Sequence, residues 1–278
     1  MRSIPLCWLY VPGDRPDRFG KAVDSGADRV VLDLQDAVAP EHKAAARRNV
    51  AAFLAVADTR FAEVRINSLG TPWGADDLRA LPDSPAPSAI RLPKTESAAD
   101  VDALAAWAPR GHVSALVETA LGVERAFDIA RHPQVAAIGL GEADLRSDLG
   151  VAEDGLGWAR SRIVIAARAA GLSSPAMSVY PDVRDLDGLA RSCRSGRRLG
   201  FVGRAAIHPA QLPVIEAAFR PSDADIADAR RVLDAIAEAA EHDRGVLTLP
   251  DGRMLDRAMI RAAERTVTLA DEGHCRDA

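Results

Sequence analysis

Between residues 8 and 208 the chain repeats one unit about eight times: a short apolar, β-branched run ending in polar or charged residues, then a helix-like stretch. The runs fall at 8–12, 29–36, 63–67, 89–94, 113–118, 136–144, 175–180 and 203–208. Their polar ends at Asp36, Arg65, Lys94, Glu118 and Asp144 lie 29, 29, 24 and 26 residues apart, the length of one strand-helix unit. Eight such units in a row specify a parallel sheet, and closure into a barrel is the economical way to leave eight parallel strands without an edge. The expected fold is therefore an α/β, (β/α)8 TIM barrel, with its active site at the carboxyl ends of the strands.

The expected barrel spans 1–219. Helices are predicted over 17–25, 41–56 and 124–131, residues 82–88 with three prolines read as a connector, and a closing helix follows His208-Pro209. The remaining residues, 220–278, form a C-terminal helical extension: Ser222 caps an amphipathic helix over 223–242, a glycine-containing turn lies at 246–254, and 256–269 is helical again. That stretch is too short for a core of its own and is expected to pack as a lid on its own barrel or a neighbour's. With 48% hydrophobic residues among 278, the chain can bury one large core. A net charge of −5 with mixed signs gives no nucleic-acid footprint, and no stretch is apolar enough for a membrane span. The apolar start, 4–11, contains Pro5 and runs directly into Gly13-Asp14-Arg15, so it reads as the first strand and not as a signal segment. Cys7, Cys193 and Cys275 lack metal-ligand spacing and leave one cysteine unpaired in any disulfide scheme, which points to a reduced, cytoplasmic setting.

The chemistry lies in what the strand ends offer. Glu118 closes Ala115-Leu116-Val117 and Asp144 follows Ile138-Gly139-Leu140-Gly141, two carboxylates expected at the mouths of adjacent strands. Such a pair, with water and a chelating substrate, suits Mg²⁺; the alternative for each is a helix cap or a surface ion pair. Arg65 sits inside Val64-Arg65-Ile66, where a guanidinium can hold a substrate carboxylate through two parallel hydrogen bonds or pair internally with Asp33 or Asp36. Strand alternation puts Asp33 and Gln35 on one face, with Asp36 starting the loop. Arg65, Asp36 and Gln35 are the expected catalytic residues, and the backbone of Gly141, Glu142 and Ala143 is an expected carboxylate nest. Lys94 reads as a Schiff-base lysine or a loop lysine, His208 as a structural group, and Arg15, Arg18 and Lys21 as a phosphate site or a solvated loop.

Seven ordered motifs carry a further signal: Val11-Pro12-Gly13-Asp14-Arg15-Pro16, Leu32-Asp33-Leu34-Gln35-Asp36-Ala37-Val38, Val64-Arg65-Ile66-Asn67, Leu92-Pro93-Lys94-Thr95-Glu96-Ser97, Val117-Glu118-Thr119, Gly141-Glu142-Ala143-Asp144-Leu145 and Ala206-Ile207-His208-Pro209-Ala210-Gln211. In these the chain resembles the citrate lyase β-subunit-like family, relatives of the malyl-CoA and citramalyl-CoA lyases within the pyruvate/oxaloacetate aldolase superfamily. The resemblance implies a modified TIM barrel with Mg²⁺ on Glu118 and Asp144, and a 2-keto-acid carboxylate on Arg65 and the backbone of 141–143. It also implies a reversible carbon–carbon cleavage of a short hydroxyacyl-CoA to acetyl-CoA and a 2-keto acid. Asp251-Gly252-Arg253-Met254-Leu255-Asp256 resembles the family's C-terminal segment, which implies a homotrimer whose tail reaches a neighbouring active site. The chain departs from the family pattern at Gln35, where the usual residue is Glu. That leaves three readings: the CoA lyase, an aldolase on free pyruvate or oxaloacetate, and a non-catalytic barrel binding a keto acid or CoA.

Overall fold

Aliphatic and β-branched side chains crowd the expected runs, and in the computed structural model seven of the eight become strands. The structure describes residues 4–57, 59–81, 87–109, 111–241, 247–248 and 254–274. Strands β1 (Cys7–Pro12), β2 (Arg29–Asp33), β3 (Ala62–Arg65), β4 (Ala89–Leu92), β5 (Val113–Val117), β6 (Val135–Leu140) and β7 (Arg204–Ala206) make one sheet in the order β6-β5-β4-β3-β2-β1-β7. Every pairing in it is parallel. Register brings the strand ends level: Pro12 pairs with Asp33, Asp33 with Arg65, and Arg65 with Arg91. All five residues of β5 are buried, as expected of a parallel strand covered on both faces.

Helices α1 (Phe19–Val23) and α2 (Lys43–Leu54) follow the first two strands. α2 turns Ala46, Val50 and Leu54 inward at helical spacing, and its Phe53 meets Phe19 edge to face with centroids 5.2 Å apart. α3 (Gly74–Ala80) and α4 (Ala98–Ala105) follow β3 and β4; the expected connector falls between them, with 82–86 outside the described residues. The helix expected over 124–131 divides at Arg125 into α5 (Ala120–Glu124) and α6 (Ala126–Ala130). β6 leads to α7 (Glu142–Leu149) and α8 (Gly157–Ala169), and α9 (Leu186–Leu199) precedes β7. The helix after His208-Pro209 is α10 (Leu212–Phe219).

The eighth expected strand, 175–180, contributes a single bridge, Met177 to Arg204. Three backbone bonds tie its first half to the chain at β7, from Val202 N to Pro175 O, Met177 N to Gly203 O and Ala205 N to Met177 O, each 3.0 Å, and beyond Met177 side chains take its carbonyls. The Ser178 carbonyl accepts Arg204 Nε (2.8 Å) and the Tyr180 carbonyl accepts Gln211 Nε2 (2.9 Å), while Pro175 has no N–H to offer. Among the described residues no ladder joins this segment to β6, so the architecture is an α/β fold on a seven-stranded parallel sheet.

Two compact units emerge: Pro5–Ala218, and Ile4 together with the described residues from Phe219 onward. In the second unit, α11 (Asp223–Glu241) opens on a reciprocal cap. The Asp225 amide donates to Ser222 Oγ (3.1 Å) and the Ser222 amide to Asp225 Oδ2 (3.0 Å). β8 (Leu247–Thr248) and β9 (Met254–Leu255) pair antiparallel; residues 249–253, and with them half of the expected family-like tail motif, lie outside the described residues. α12 (Arg257–His274) packs on α11 around Ala229, Val232 and Ala263, joined by Leu233, Ile236 and Val267. No helix among the described residues is long and apolar enough to cross a membrane.

Candidate functional site

Arg65 ends β3 beside Asp33, which ends β2. Arg65 Nε donates to Asp33 Oδ1 (2.7 Å) and Nη2 to Oδ2 (2.6 Å), two parallel charge-assisted bonds. Asp33 is fully buried and also accepts the amides of Gln35 (2.9 Å) and Ala37 (3.2 Å). The remaining guanidinium nitrogen, Nη1, stands 3.2 Å from Asp36 Oδ2. Burial works against the Arg65 charge, but Asp33 more than offsets it, and the group titrates above its ordinary range. Asp36, still 59% exposed, is raised from its ordinary value first by loss of water; Arg65 opposes the rise, and Asp33 and Asp144 add to it.

The Arg65 guanidinium also faces the Tyr10 ring at 4.9 Å, and Arg91 faces the same ring at 5.5 Å. Arg91 Nη1 donates to the Tyr10 hydroxyl (2.8 Å), while its Nε and Nη2 donate to Glu63 Oε2 (3.1 and 2.7 Å). Trp8 Nε1 donates to Glu63 Oε1 (3.0 Å). These four side chains support Arg65 and were not among the expected site residues. A charge within Ala89-Ile90-Arg91-Leu92 is the same signal that singles out Arg65, and the alternation of Trp8 and Tyr10 with buried Cys7, Leu9 and Val11 marks their common face.

Glu118 follows β5 and is 2% exposed. Its Oε2 accepts the Lys94 amide (2.8 Å). Burial first, and Asp144 second, push its pKa up to about 7, against the stabilising Lys94 amide; Arg65 and Asp36 act on it too. Arg65, Asp36, Glu118 and Asp144 thus share one electrostatic neighbourhood. Asp144 does not end a strand as expected: β6 stops at Leu140 and Asp144 stands in the first turn of α7. Gly141 carries the chain past Glu118 so closely that a Cβ there would overlap the carboxylate, and its amide donates to the Val117 carbonyl (2.9 Å). The Asp144 side chain is 45% exposed, with Lys94 Nζ 3.9 Å from Oδ1.

Other expected residues lie elsewhere in the geometry. The Gly141 amide is already taken, and Glu142 accepts Arg160 Nε (2.9 Å) and Nη2 (2.6 Å), so the expected nest reduces to the first-turn amides of Glu142 and Ala143, which have no partner within the helix. Gln35 is buried, and its Oε1 has no hydrogen-bond partner among the described residues. Its peptide is held firmly: Lys43 Nζ donates to the carbonyls of Leu34 (2.8 Å) and Gln35 (2.6 Å), and Asn67 Nδ2 donates to Leu34 O (2.8 Å). His208 Nδ1 accepts the Ala210 amide (3.1 Å), a capping role, and Arg15 pairs with Asp17 (3.1 Å). Among the described residues no three His, Cys, Asp or Glu gather as a metal group. Glu118 and Asp144 remain a pair of hard oxygen donors, a set suited to a cation that keeps several positions for water or a chelating molecule.

A family model described as HpcH/HpaI aldolase/citrate lyase matches residues 6–209. A (3S)-malyl-CoA thioesterase of Cereibacter sphaeroides strain KD131 is 39% identical over 273 residues, covering 95% of this chain and 93% of its own. An L-malyl-CoA/beta-methylmalyl-CoA lyase of Rhodobacter capsulatus is 36% identical over 301 residues, covering 95% of this chain and 94% of its own. A crystal structure of protein CitE from Mycobacterium tuberculosis with magnesium, acetoacetate and coenzyme A superposes with a TM-score of 0.83 at 36% identity, covering 98% of this chain and 100% of that one.

Proposed function

The chain belongs to the HpcH/HpaI aldolase/citrate lyase family, and from that premise we propose that it is a Mg²⁺-dependent carbon–carbon lyase acting on a short hydroxyacyl-CoA of the malyl or citramalyl type. The observation that carries this reading is the buried Glu118 carboxylate, pushed up to about 7 by burial first and by Asp144 second, and cradled by a glycine that leaves it room. Glu118 and Asp144 fit the magnesium seen in the related CitE complex. When bound there, the cation supplies Lewis-acid polarisation of the substrate's carboxylate and hydroxyl oxygens. Family resemblance supports reading the sheet as a barrel with one stave reduced to a bridge, and supports a homotrimer.

The chain's own residues divide the remaining work. Arg65 presents its Nη1 edge to the substrate carboxylate, which takes the place of Asp36, while Asp33 fixes the guanidinium plane. Asp36, released from Arg65, accepts the hydroxyl proton: Glu118 and Asp144 are committed to the cation, Asp33 to Arg65, and Gln35 has no basic form. As the alkoxide becomes a carbonyl, the bond to the neighbouring carbon breaks and its electron pair passes into the thioester enolate. Protonation at carbon then gives acetyl-CoA, beside glyoxylate from a malyl ester or pyruvate from a citramalyl ester. A second reading is thioester hydrolysis to the free acid and CoA, favoured by the relatives named malyl-CoA thioesterase. Incubating the chelator-stripped protein with malyl-CoA and citramalyl-CoA, with and without Mg²⁺, tests the proposal. It requires Mg²⁺-dependent acetyl-CoA release, and no release from either ester rejects it.

A further inference from the structure

Lys94 is the one non-glycine among the described residues with a left-handed backbone, at φ 51°. A lysine there carries backbone strain that a glycine would not. The conformation aims the Lys94 amide at Glu118 Oε2, a task any residue's backbone performs and glycine performs without strain. What glycine lacks is the ammonium, which stands 3.9 Å from Asp144 Oδ1, half exposed, with no hydrogen bond among the described residues. One residue therefore touches both carboxylates of the proposed metal pair, the buried one through its backbone and the exposed one through its charge. Arg65, a second cation of this neighbourhood, is fixed by two bonds to Asp33, whereas Lys94 is held by one long ion pair.

We propose that Lys94 is the built-in counter-cation of the Glu118–Asp144 pair: its ammonium neutralises Asp144 in the metal-free protein and is displaced when the divalent cation binds, so that it tunes cation affinity downward. The inference rests on the reading of Glu118 and Asp144 as the Mg²⁺ site. Placing a double positive charge a few ångströms from a single one, in surroundings between water and protein, weakens cation binding on the order of ten-fold. The cation is thereby exchangeable, and the released ammonium faces the mouth, where the anionic substrate arrives.

The test is calorimetric titration of the chelator-stripped full chain with Mg²⁺ alone, at pH 8. Lys94→Gln keeps a polar side chain, one atom shorter, and the strained backbone but removes the charge; Lys94→Gly removes charge and strain together; Lys94→Arg keeps the charge. The expected result is that the Gln and Gly variants bind Mg²⁺ roughly ten-fold tighter than the wild type, that the Arg variant matches the wild type within about two-fold, and that the Gly variant melts no lower than the wild type. Equal or weaker binding in the Gln variant, tightening confined to Gly, or tightening in Arg as well would each overturn the proposal. A Glu118→Gln control in the same titration separates the two layers: if it binds Mg²⁺ like the wild type, the metal assignment falls, and the role of Lys94 with it. If it abolishes binding while Lys94→Gln changes nothing, only the role of Lys94 falls.

Discussion

Replacing Glu118 by Gln removes one charge and leaves an oxygen to accept the Lys94 amide. In the metal-free protein the Glu118 pKa is raised from 4.5 to about 7, mainly by burial. An acid whose folded pKa is raised keeps its proton longer in the folded state than in the unfolded one. It therefore costs nothing below pH 4.5, and its cost accumulates as pH rises towards 7. At about 1.4 kcal/mol per pH unit the wild type loses on the order of 3 kcal/mol across that window. The Gln variant loses nothing on this account. Urea unfolding with chelator present should find the variant and wild type equally stable at pH 4.5, and the variant more stable by about 3 kcal/mol at pH 8. The corresponding rise in melting temperature is roughly 5–10 °C for a chain of this size. Saturating Mg²⁺ at pH 8 should restore the wild type and leave the variant unmoved. A variant less stable at pH 8, or a difference independent of pH, would show that the buried Glu118 charge does not destabilise the metal-free protein.

Three further outcomes follow from the same geometry. Arg65→Lys keeps the charge but loses the paired bonds to Asp33 and the planar edge, so calorimetry should show pyruvate or oxaloacetate binding weakened by about 1.5–3 kcal/mol; wild-type affinity would assign Arg65 to the scaffold alone. Gly141→Ala places a Cβ against the Glu118 carboxylate, and Mg²⁺ affinity should fall by roughly ten-fold or more, measured in the same way. Gln35→Glu adds a carboxylate where an amide oxygen lacks a donor. If proton transfer limits turnover, the pH–rate profile should show higher lyase activity at alkaline pH, whereas an unchanged profile marks Gln35 as neutral to the chemistry.

The site at the strand ends is legible in the sequence because strands buried on both faces tolerate so few polar residues that Arg65 and Glu118 stand out against aliphatic runs. The Arg65–Asp33 pair was foreseen as one of two alternatives, and the structure shows it formed while one edge of the guanidinium faces Asp36. Position was harder to read. Asp144 lies on a helix because β6 stops at Leu140, and the close approach of Gly141 to Glu118 across the neighbouring strand end leaves no mark in the local pattern. The segment 175–180 has a strand's composition, but Arg204 and Gln211 take its carbonyls, and local pattern does not report such side-chain competition. Lys43 lies at the start of an alanine- and arginine-rich helix, where nothing in the local pattern signals burial, yet it is buried against two carbonyls of the loop after β2. The left-handed Lys94 has no signature in the local sequence, since its amide's partner, the Glu118 carboxylate, lies 24 residues on.

The bond proposed to break is carbon–carbon and not the thioester. Product analysis of malyl-CoA incubated with the Mg²⁺-loaded protein decides between them: acetyl-CoA and glyoxylate are expected in equal amounts, lost together in Glu118→Gln and Asp144→Asn. Free CoA and malate in equal amounts, with no glyoxylate, would contradict the proposal.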